Sequence, residues 1–491
     1  MNSERSRWVA LAVLCTGMLM IVLDVTVVNV ALPAIQTDLG FTQSSLAWVV
    51  NAYLIAFGGL LLLAGRLGDL LSRRGVFLAG LTVFVLASAA CGLAGSQEVL
   101  IAARFVQGVG GAMTSAVILG VIVTMFPEPR ERARAIGFYS FVASAGGSIG
   151  LLAGGVLTQG INWHWIFFVN VPIGLATGVA AMRLLPRDRG LGLRGGADLP
   201  GAVLITAALM LGVYTIVQPA AELGWGSAQT LSLLAVSAAL LALFVLREAR
   251  ARRPLVPLRV FRSANVSGAN AVQALTVAGM FGMFFLGVLY LQRVLGYDAL
   301  GTGLAFLPQS IVMGALSLRY SERLVTRFGA KSTLLGGLVL IALGLALFAR
   351  VPAGGSYLVD VLPATLLLGV GIGGGFPALA ALAMSGATRD DAGLASGLVN
   401  TTAQVGAALG LAVLATLSAT RTGQLAAEGR PEMEALIGGF QLAFLVGAAL
   451  VAVSFVIALT VIRPERRDAA QDEGAHDIHE AHDDLPVAVG I

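Results

Sequence analysis

Asp24 and Arg104 are the residues whose positions most need a chemical explanation. Asp24 stands inside an apolar run from about residue 8 to 32, and no other carboxylate lies well inside such a run. An ionisable group in hydrocarbon costs at least ~2.5 kcal/mol and marks a functional pathway. A carboxylate there that loads and releases a proton can couple proton movement to work. The structural alternative is an acid hydrogen-bonded to a neighbouring helix for fold specificity. Arg104 is the matching basic residue, again the one basic group well inside a run. Gln107, Gly108, Gly111 and Ser115 follow it at spacings that put all five on one helix face. That face is small and polar, so it is expected to look into a bundle or a water-filled cavity. Arg104 keeps its own proton, but it can bias a nearby carboxylate and hold polar groups in place. Contact between Asp24 and Arg104 is left open at this level, and a purely structural ion pair fits the same residues.

A second tier of candidates is weaker. Trp48, Asn51, Ile55 and Gly58 share a face, suited either to lining a substrate cavity or to helix packing with Trp48 at the membrane interface. Gln107, Tyr53, Tyr290, Phe376 and Gln404 are further cavity candidates. Gly146, Gly147, Gly150, Gly154 and Gly155 place small residues about four apart, which lets helix backbones approach closely. Tight static packing is their favoured reading. Asp69 precedes Arg73 and Arg74 by about one turn at a helix end. Such charges can pair in one conformation and separate in another, which is a latch.

No catalytic motif accompanies these residues. The glycines of Gly369–Gly375 lie in an apolar run rather than between a strand and a helix, which excludes a phosphate loop. No Walker A motif occurs. Cys15 and Cys91 lie in apolar runs and read as small buried hydrophobes, with no CxxC metal motif. His476, His479 and His482 are spaced three apart among acids in the C-terminal tail, where a solvated face is favoured over a metal site. An enzyme is therefore the least supported class.

The elements that must position Asp24 and Arg104 follow from composition. Of 491 residues 57% are hydrophobic and 12% charged, against about 25% charged in soluble domains. A soluble fold of this length would expose far more apolar surface than water tolerates. A spanning helix needs about 20 mostly apolar residues. Fourteen such runs are present, at roughly 8–32, 44–65, 76–95, 98–125, 135–160, 166–184, 200–219, 229–246, 264–290, 300–318, 332–350, 357–384, 392–418 and 437–462. In lipid the backbone must satisfy its own hydrogen bonds, so these runs are expected to be helices. The first run is too long for a signal-peptide core and reads as a retained helix.

Basic residues orient the chain. Arg293, Arg350, Arg421 and Arg430 fall on one side and Arg104 within a span; the remaining 26 of the 31 lie on the other side. That side is the cytoplasm, and both termini belong there. The basic residues occupy short loops rather than a stripe, which argues against nucleic acid as a partner.

The chain also repeats weakly. The loop from Arg66 to Arg74 corresponds to the loop from Arg323 to Lys331, and Gly150 and Gly154 correspond to Gly406 and Gly410. The expected organisation is an N-terminal six-helix half over residues 1–184 and linker loops with two inserted helices over 185–262. A C-terminal six-helix half over 263–462 and a charged, disordered cytoplasmic tail over 463–491 complete it. Internal repeats with a site at their interface are a common transporter plan.

On these residues the sequence resembles the major facilitator superfamily, and more closely its fourteen-helix drug:proton antiporters of the multidrug and quaternary-ammonium-resistance type. The resemblance runs to about Pro464. It is carried by Leu23-Asp24-Val25-Thr26-Val27-Val28-Asn29-Val30-Ala31-Leu32-Pro33 and by Gly65-Arg66-Leu67-Gly68-Asp69 through Arg73-Arg74-Gly75. Arg104-Phe105-Val106-Gln107-Gly108, Asn162-Trp163-His164-Trp165, Asn170-Val171-Pro172 and Tyr290-Leu291-Gln292 add to it in the family's order. The fifth span reads Gly150-Leu151-Leu152-Ala153-Gly154-Gly155 where the antiporters usually carry Gly-Pro-x-x-Gly-Gly.

The resemblance implies the all-α major facilitator fold, with Asp24 and Arg104 in proton coupling and Gly65, Asp69, Arg73 and Arg74 in a conformational latch. It implies proton-driven efflux of small amphipathic or cationic compounds such as antibiotics, by alternating access, in a bacterial cell membrane. The partners would be lipid, protons and the small-molecule substrate, with the proton gradient in place of a cofactor and a monomer as the working unit. Proton-coupled uptake of a nutrient, or a non-transporting sensor with a transporter fold, are the alternatives.

Overall fold

The computed structural model describes residues 4–42, 44–188, 190, 198–251, 254–256, 258–385 and 392–463. The tail with His476, His479 and His482 lies outside the described residues. The described chain is helical nearly throughout, as backbone in hydrocarbon must be.

The first group comprises α1 (Glu4–Leu39), α2 (Trp48–Leu70), α3 (Arg73–Gly92), α4 (Gln97–Met125), α5 (Pro129–Gly160), the single turn α6 (Trp165–Phe168) and α7 (Asn170–Leu184). Next come α8 (Leu199–Val217), the short α9 (Pro219–Leu223) and α10 (Ala228–Arg250). The last group comprises α11 (Ala264–Leu289), α12 (Ala299–Ala315), α13 (Ser321–Phe328), α14 (Ala330–Phe348), α15 (Leu362–Ser385), α16 (Ala392–Ala427) and α17 (Glu432–Thr460).

Short polar loops start the helices cleanly. The side chains of Ser72, Ser96, Asp198, Ser227, Ser263 and Asp298 each accept a backbone N–H three residues on, capping α3, α4, α8, α10, α11 and α12. The first helix runs past Pro33, beyond the apolar run, and stops before Gly40, whose φ of 69° turns the chain.

Among the described residues, twelve helices are long and apolar enough to cross a membrane. The expected span at 135–160 lies within the unbroken α5, and the expected span at 300–318 appears as the shorter Ala299–Ala315. The second is short because α12 gives way to a widened π turn at Leu316–Tyr320 before α13 continues the path.

Packing divides the bundle. Within the first group α1 packs on α5 and α7, and α4 packs on α2 and α3. Within the last group α11 packs on α16 and α17, and α15 packs on α12 and α14. The two groups meet along two seams, α2 against α16 and α5 against α12. The α8–α10 pair leans on the first seam, with α8 touching both α2 and α16. Leu231, Val236, Leu241, Leu243, Val245 and Leu246 of α10 are exposed, as lipid-facing residues should be.

Glycines permit the close crossings. A Cβ on Gly154 would sit 2.8 Å from the Val27 carbonyl on α1, and one on Gly406 would sit 2.5 Å from the Ala274 carbonyl on α11. Gly150 abuts the Thr26 side chain and Gly410 the Ala278 backbone. Thus α5 lies on α1 as α16 lies on α11. Gly146 meets only side-chain atoms of Val22 and Leu19. Gly155 faces the other group, since its Cβ would lie 2.7 Å from the Ala299 carbonyl of α12.

Four hydrogen bonds join the groups at one end of the bundle. Gln292 donates to the Val30 carbonyl at 3.0 Å and Arg293 donates to Gln36. Gln159 donates to Asp298 at 2.8 Å and accepts from the Leu300 backbone at 3.3 Å.

Candidate functional site: a buried charge pair among five helices

The side chains of Asp24 on α1 and Arg104 on α4 meet, each 1% exposed. Arg104 Nη1 donates to Asp24 Oδ2 at 2.5 Å. The same nitrogen reaches Gln107 Oε1 at 2.6 Å, and Arg104 Nε donates to the Val49 carbonyl of α2 at 2.9 Å. Gln107 Nε2 donates to Asp24 Oδ1 at 2.7 Å and to Ser88 Oγ of α3 at 2.6 Å. Asn170, at the start of α7, donates to Asp24 Oδ1 at 3.1 Å and to Ser88 Oγ at 3.4 Å. The Tyr53 ring covers the guanidinium at 4.5 Å and Phe167 lies 5.7 Å from it.

The network follows from helix geometry. Arg104 and Gln107 are three residues apart, so both point the same way from α4. Gly108 and Gly111 let α4 close on Tyr53 of α2, which brings the Val49 carbonyl within reach. The small polar face of α4 therefore packs into the bundle rather than onto open water. Asp24 accepts three side-chain hydrogen bonds on its two oxygens, so its negative charge is matched although it is buried. Burying an ion pair repays its desolvation only with such additional hydrogen bonds. Through these bonds Asp24 ties α1 directly to α4 and α7. Asn170 and Ser88 were not singled out from the sequence. Asn170 gave one signal, a polar amide opening a span after the Trp-His-Trp turn; Ser88 gave none.

The other candidates separate. Gln107 belongs to the charge pair. Asn51 is fully buried and neither atom of its amide has a hydrogen-bond partner among the described residues. Trp48 is buried at the head of α2. Gln404 lies at the α2–α16 seam, 2.8 Å from where a Gly58 Cβ would be. Tyr290 is fully buried elsewhere and donates to the Pro352 carbonyl at 3.0 Å, tying α11 to the loop after α14. Phe376 packs against the main core from α15.

The charged loop between α2 and α3 forms a second cluster. Arg73 donates to Asp69 at 2.8 Å, to the Gly120 carbonyl at 3.1 Å and to Thr124 at 3.0 Å. Arg74 donates to the Met182 carbonyl of α7. A Cβ on Gly65 would approach only Ala116, at 3.9 Å, so Gly65 stands beside this cluster without closing it.

Asp188, which sequence reasoning passed over among the other loop charges, completes the cluster from the far side of α7. It accepts from Ser72 Oγ at 2.6 Å, the Arg73 backbone at 2.6 Å and the Arg74 backbone at 3.2 Å. Burial alone would raise this carboxyl, but the Ser72 hydroxyl and the two backbone donors outweigh it and hold it below the usual carboxylate range. Its contribution to stability is therefore present above the unfolded value of about 3.9 and lost as pH falls through the lower folded value. Asp188→Ala should cost about 0.5–2 kcal/mol, the scale of a lost helix cap. In thermal unfolding of the purified protein, the difference from the parent should hold steady above about pH 5 and shrink below about pH 4. A difference that persists undiminished in acid would refute this role.

A charge pair sealed between membrane-length helices is the layout of a membrane carrier rather than of an enzyme. The chain belongs to the Major Facilitator Superfamily, whose family model matches residues 14–411. It is 38% identical over 96% of its length to the puromycin resistance protein pur8 of Streptomyces alboniger, covering 94% of that protein. It is 40% identical over 93% of its length to the cephamycin export protein CmcT of Amycolatopsis lactamdurans, covering 91% of that protein. The fold matches the crystal structure of a bacterial homolog to the human lysosomal transporter Spinster, in an inward-facing and unoccupied conformation. That match has a TM-score of 0.67 and 16% identity, over 94% of this chain and 98% of the other.

Proposed function

We propose that this protein exports small amphipathic compounds of the antibiotic class from a bacterial cell in exchange for protons, by alternating access. The observation that carries the reading is the Asp24–Arg104 pair, fully buried and braced by Gln107, Asn170 and Ser88. An acid so placed changes the hydrogen bonding among α1, α4 and α7 when it takes up a proton, which is what coupling requires. The direction of transport rests on the relatives, one of which is called an export protein and another a resistance protein.

In this reading the bundle is two related six-helix halves, residues 1–184 and 263–462, with the α8–α10 pair inserted over 185–262. Fourteen spans result, both termini face the cytoplasm and one chain is the working unit. The paired seams support the repeat: α2 meets α16 as α12 meets α5, which is the same contact with the halves exchanged. The four hydrogen bonds at the end bearing Gln36 and Asp298 close the outer side in this reading. Asp69, Arg73 and Arg74 hold the α2–α3 loop and latch one state. Asn51, buried without a hydrogen-bond partner among the described residues, Trp48 and Gln404 near the α2–α16 seam are the substrate contacts this reading favours.

One proton crossing ~100 mV supplies ~2.3 kcal/mol, enough to hold a neutral compound at a roughly fifty-fold gradient. Everted vesicles containing the protein should accumulate puromycin or a lipophilic cation when energised, and a protonophore should abolish that accumulation. Uptake by right-side-out vesicles with none by everted ones would favour nutrient import. Absence of flux in both would leave the non-transporting reading.

A further inference from the structure

The inserted helix pair carries a second buried acid cluster that the coupling reading does not use. Asp198 precedes α8 and is 5% exposed; Glu248 lies in the last turn of α10 and is 3% exposed. Asp198 Oδ1 is saturated: it accepts from Arg247 at 2.7 Å and from the Gly201 backbone at 3.0 Å. Glu248 Oε2 accepts the Val256 backbone N–H at 2.7 Å. The other oxygen of each carboxyl, Asp198 Oδ2 and Glu248 Oε1, is buried without a hydrogen-bond partner among the described residues. These two oxygens converge on Gly201, whose Cβ, if present, would lie 2.8 Å from one and 2.9 Å from the other.

Two carboxylates crowded together out of water repel each other, and sharing one proton relieves that repulsion. We propose that Asp198 and Glu248 form a proton-binding site, in which one proton is shared between Asp198 Oδ2 and Glu248 Oε1. The bound proton completes both carboxyls and joins α8 to α10. By holding the Glu248 carboxyl in place it keeps Oε2 on the Val256 N–H, which ties down the linker that leads from α10 to α11.

That linker matters mechanically. Leu255, Val256 and Val260 pack with Leu63 of α2, Ala202 of α8, Val266 of α11 and Leu398 of α16. The proton therefore clamps a segment seated on the α2–α16 seam, which must adjust in any rocking motion. Among the described residues, Arg247 is the charged group that faces the pair from α10. The faces that α2, α11 and α16 turn to the linker are apolar at Leu63, Val266 and Leu398. Loss of the proton sets the two carboxylates against each other and releases the linker as pH rises.

The site is distinct from Asp24, and its test needs no transport. In detergent, the full chain is cut with trypsin at a series of pH values. The signal is cleavage at Arg259 and Arg262 in the linker, divided by cleavage at Arg466 and Arg467 in the tail of the same molecule. In the parent protein this ratio should rise with pH, by up to about tenfold per unit. Asp198→Asn and Glu248→Gln replace the shared proton with an amide N–H in the same place, so both should give a low, flat ratio. Glu248→Ala removes the linker's acceptor and should give a high ratio at every pH. Size-exclusion chromatography of all four proteins reports whether each is folded. The same pH dependence in parent and amide variants would overturn the proposal. So would a parent ratio that follows sodium or magnesium concentration, because a metal cation would then hold the oxygens together.

Discussion

Asp24→Asn is expected to abolish proton-driven accumulation of substrate, taking a roughly fifty-fold gradient to none. The exchange leaves a side chain of the same size, so the packing of α1 against α5 and α7 should persist. It removes the charge that Arg104 faces at 2.5 Å, and it removes the proton that would be carried. A buried charge stripped of its partner typically costs 3–5 kcal/mol, a large share of the 5–15 kcal/mol by which folded proteins are stable. Lower thermal stability is therefore expected alongside the functional loss. Counterflow exchange of labelled substrate separates the two effects, since it needs a folded carrier but no proton movement. Exchange without accumulation is the expected result. Full proton-driven accumulation by Asp24→Asn would remove this acid from coupling.

The second large effect concerns two adjacent glycines of α5 that face different neighbours. Gly154 lies against the α1 backbone, 2.8 Å from the Val27 carbonyl by its missing Cβ. Gly155 lies against α12, 2.7 Å from the Ala299 carbonyl in the same measure. Backbone cannot rotate away as the Thr26 side chain opposite Gly150 can. Gly154→Val should therefore disrupt packing within the first group and lower stability by about 1–3 kcal/mol or more. Gly155→Val should leave each group intact and wedge open the α5–α12 seam near Gln159 and Asp298. Its expected phenotype is a folded protein with near-complete loss of transport and raised reactivity of outer-face cysteine probes. Comparable unfolding in both variants, or normal transport by Gly155→Val, would sink the distinction.

The legibility of these features in the sequence differs for physical reasons. Asp24 and Arg104 stood out because hydrocarbon makes charge rare, so each one present has a cause. Asn170 and Ser88 did not, because uncharged polar residues are tolerated in spans and only a neighbouring helix reveals their partner. Asp198 and Glu248 sit at helix ends, where charge is ordinary, and only burial sets them apart. Asp188 was one loop acid among many until the chain after α7 brought it to the start of α3. The Gly150–Gly154 and Gly406–Gly410 pairs were legible as a repeat, but their opposite helices were not. Tyr290 had the composition of a cavity residue, yet its hydroxyl is committed to the Pro352 carbonyl.

By itself the sequence determined a helical membrane protein, the basic side of its loops and the two charges that cannot rest in lipid unpaired. Those properties follow residue by residue from the solvent, since a bilayer imposes length, hydropathy and charge placement on each segment separately. Only the tertiary structure decided that Asp24 and Arg104 are partners, that α5 shows one glycine to α1 and the next to α12, and that Asp198 and Glu248 converge. Those are distances between helices far apart in the chain. They depend on how side chains interlock across an interface, where lipid supplies no hydrophobic drive and close packing and hydrogen bonds choose the neighbour.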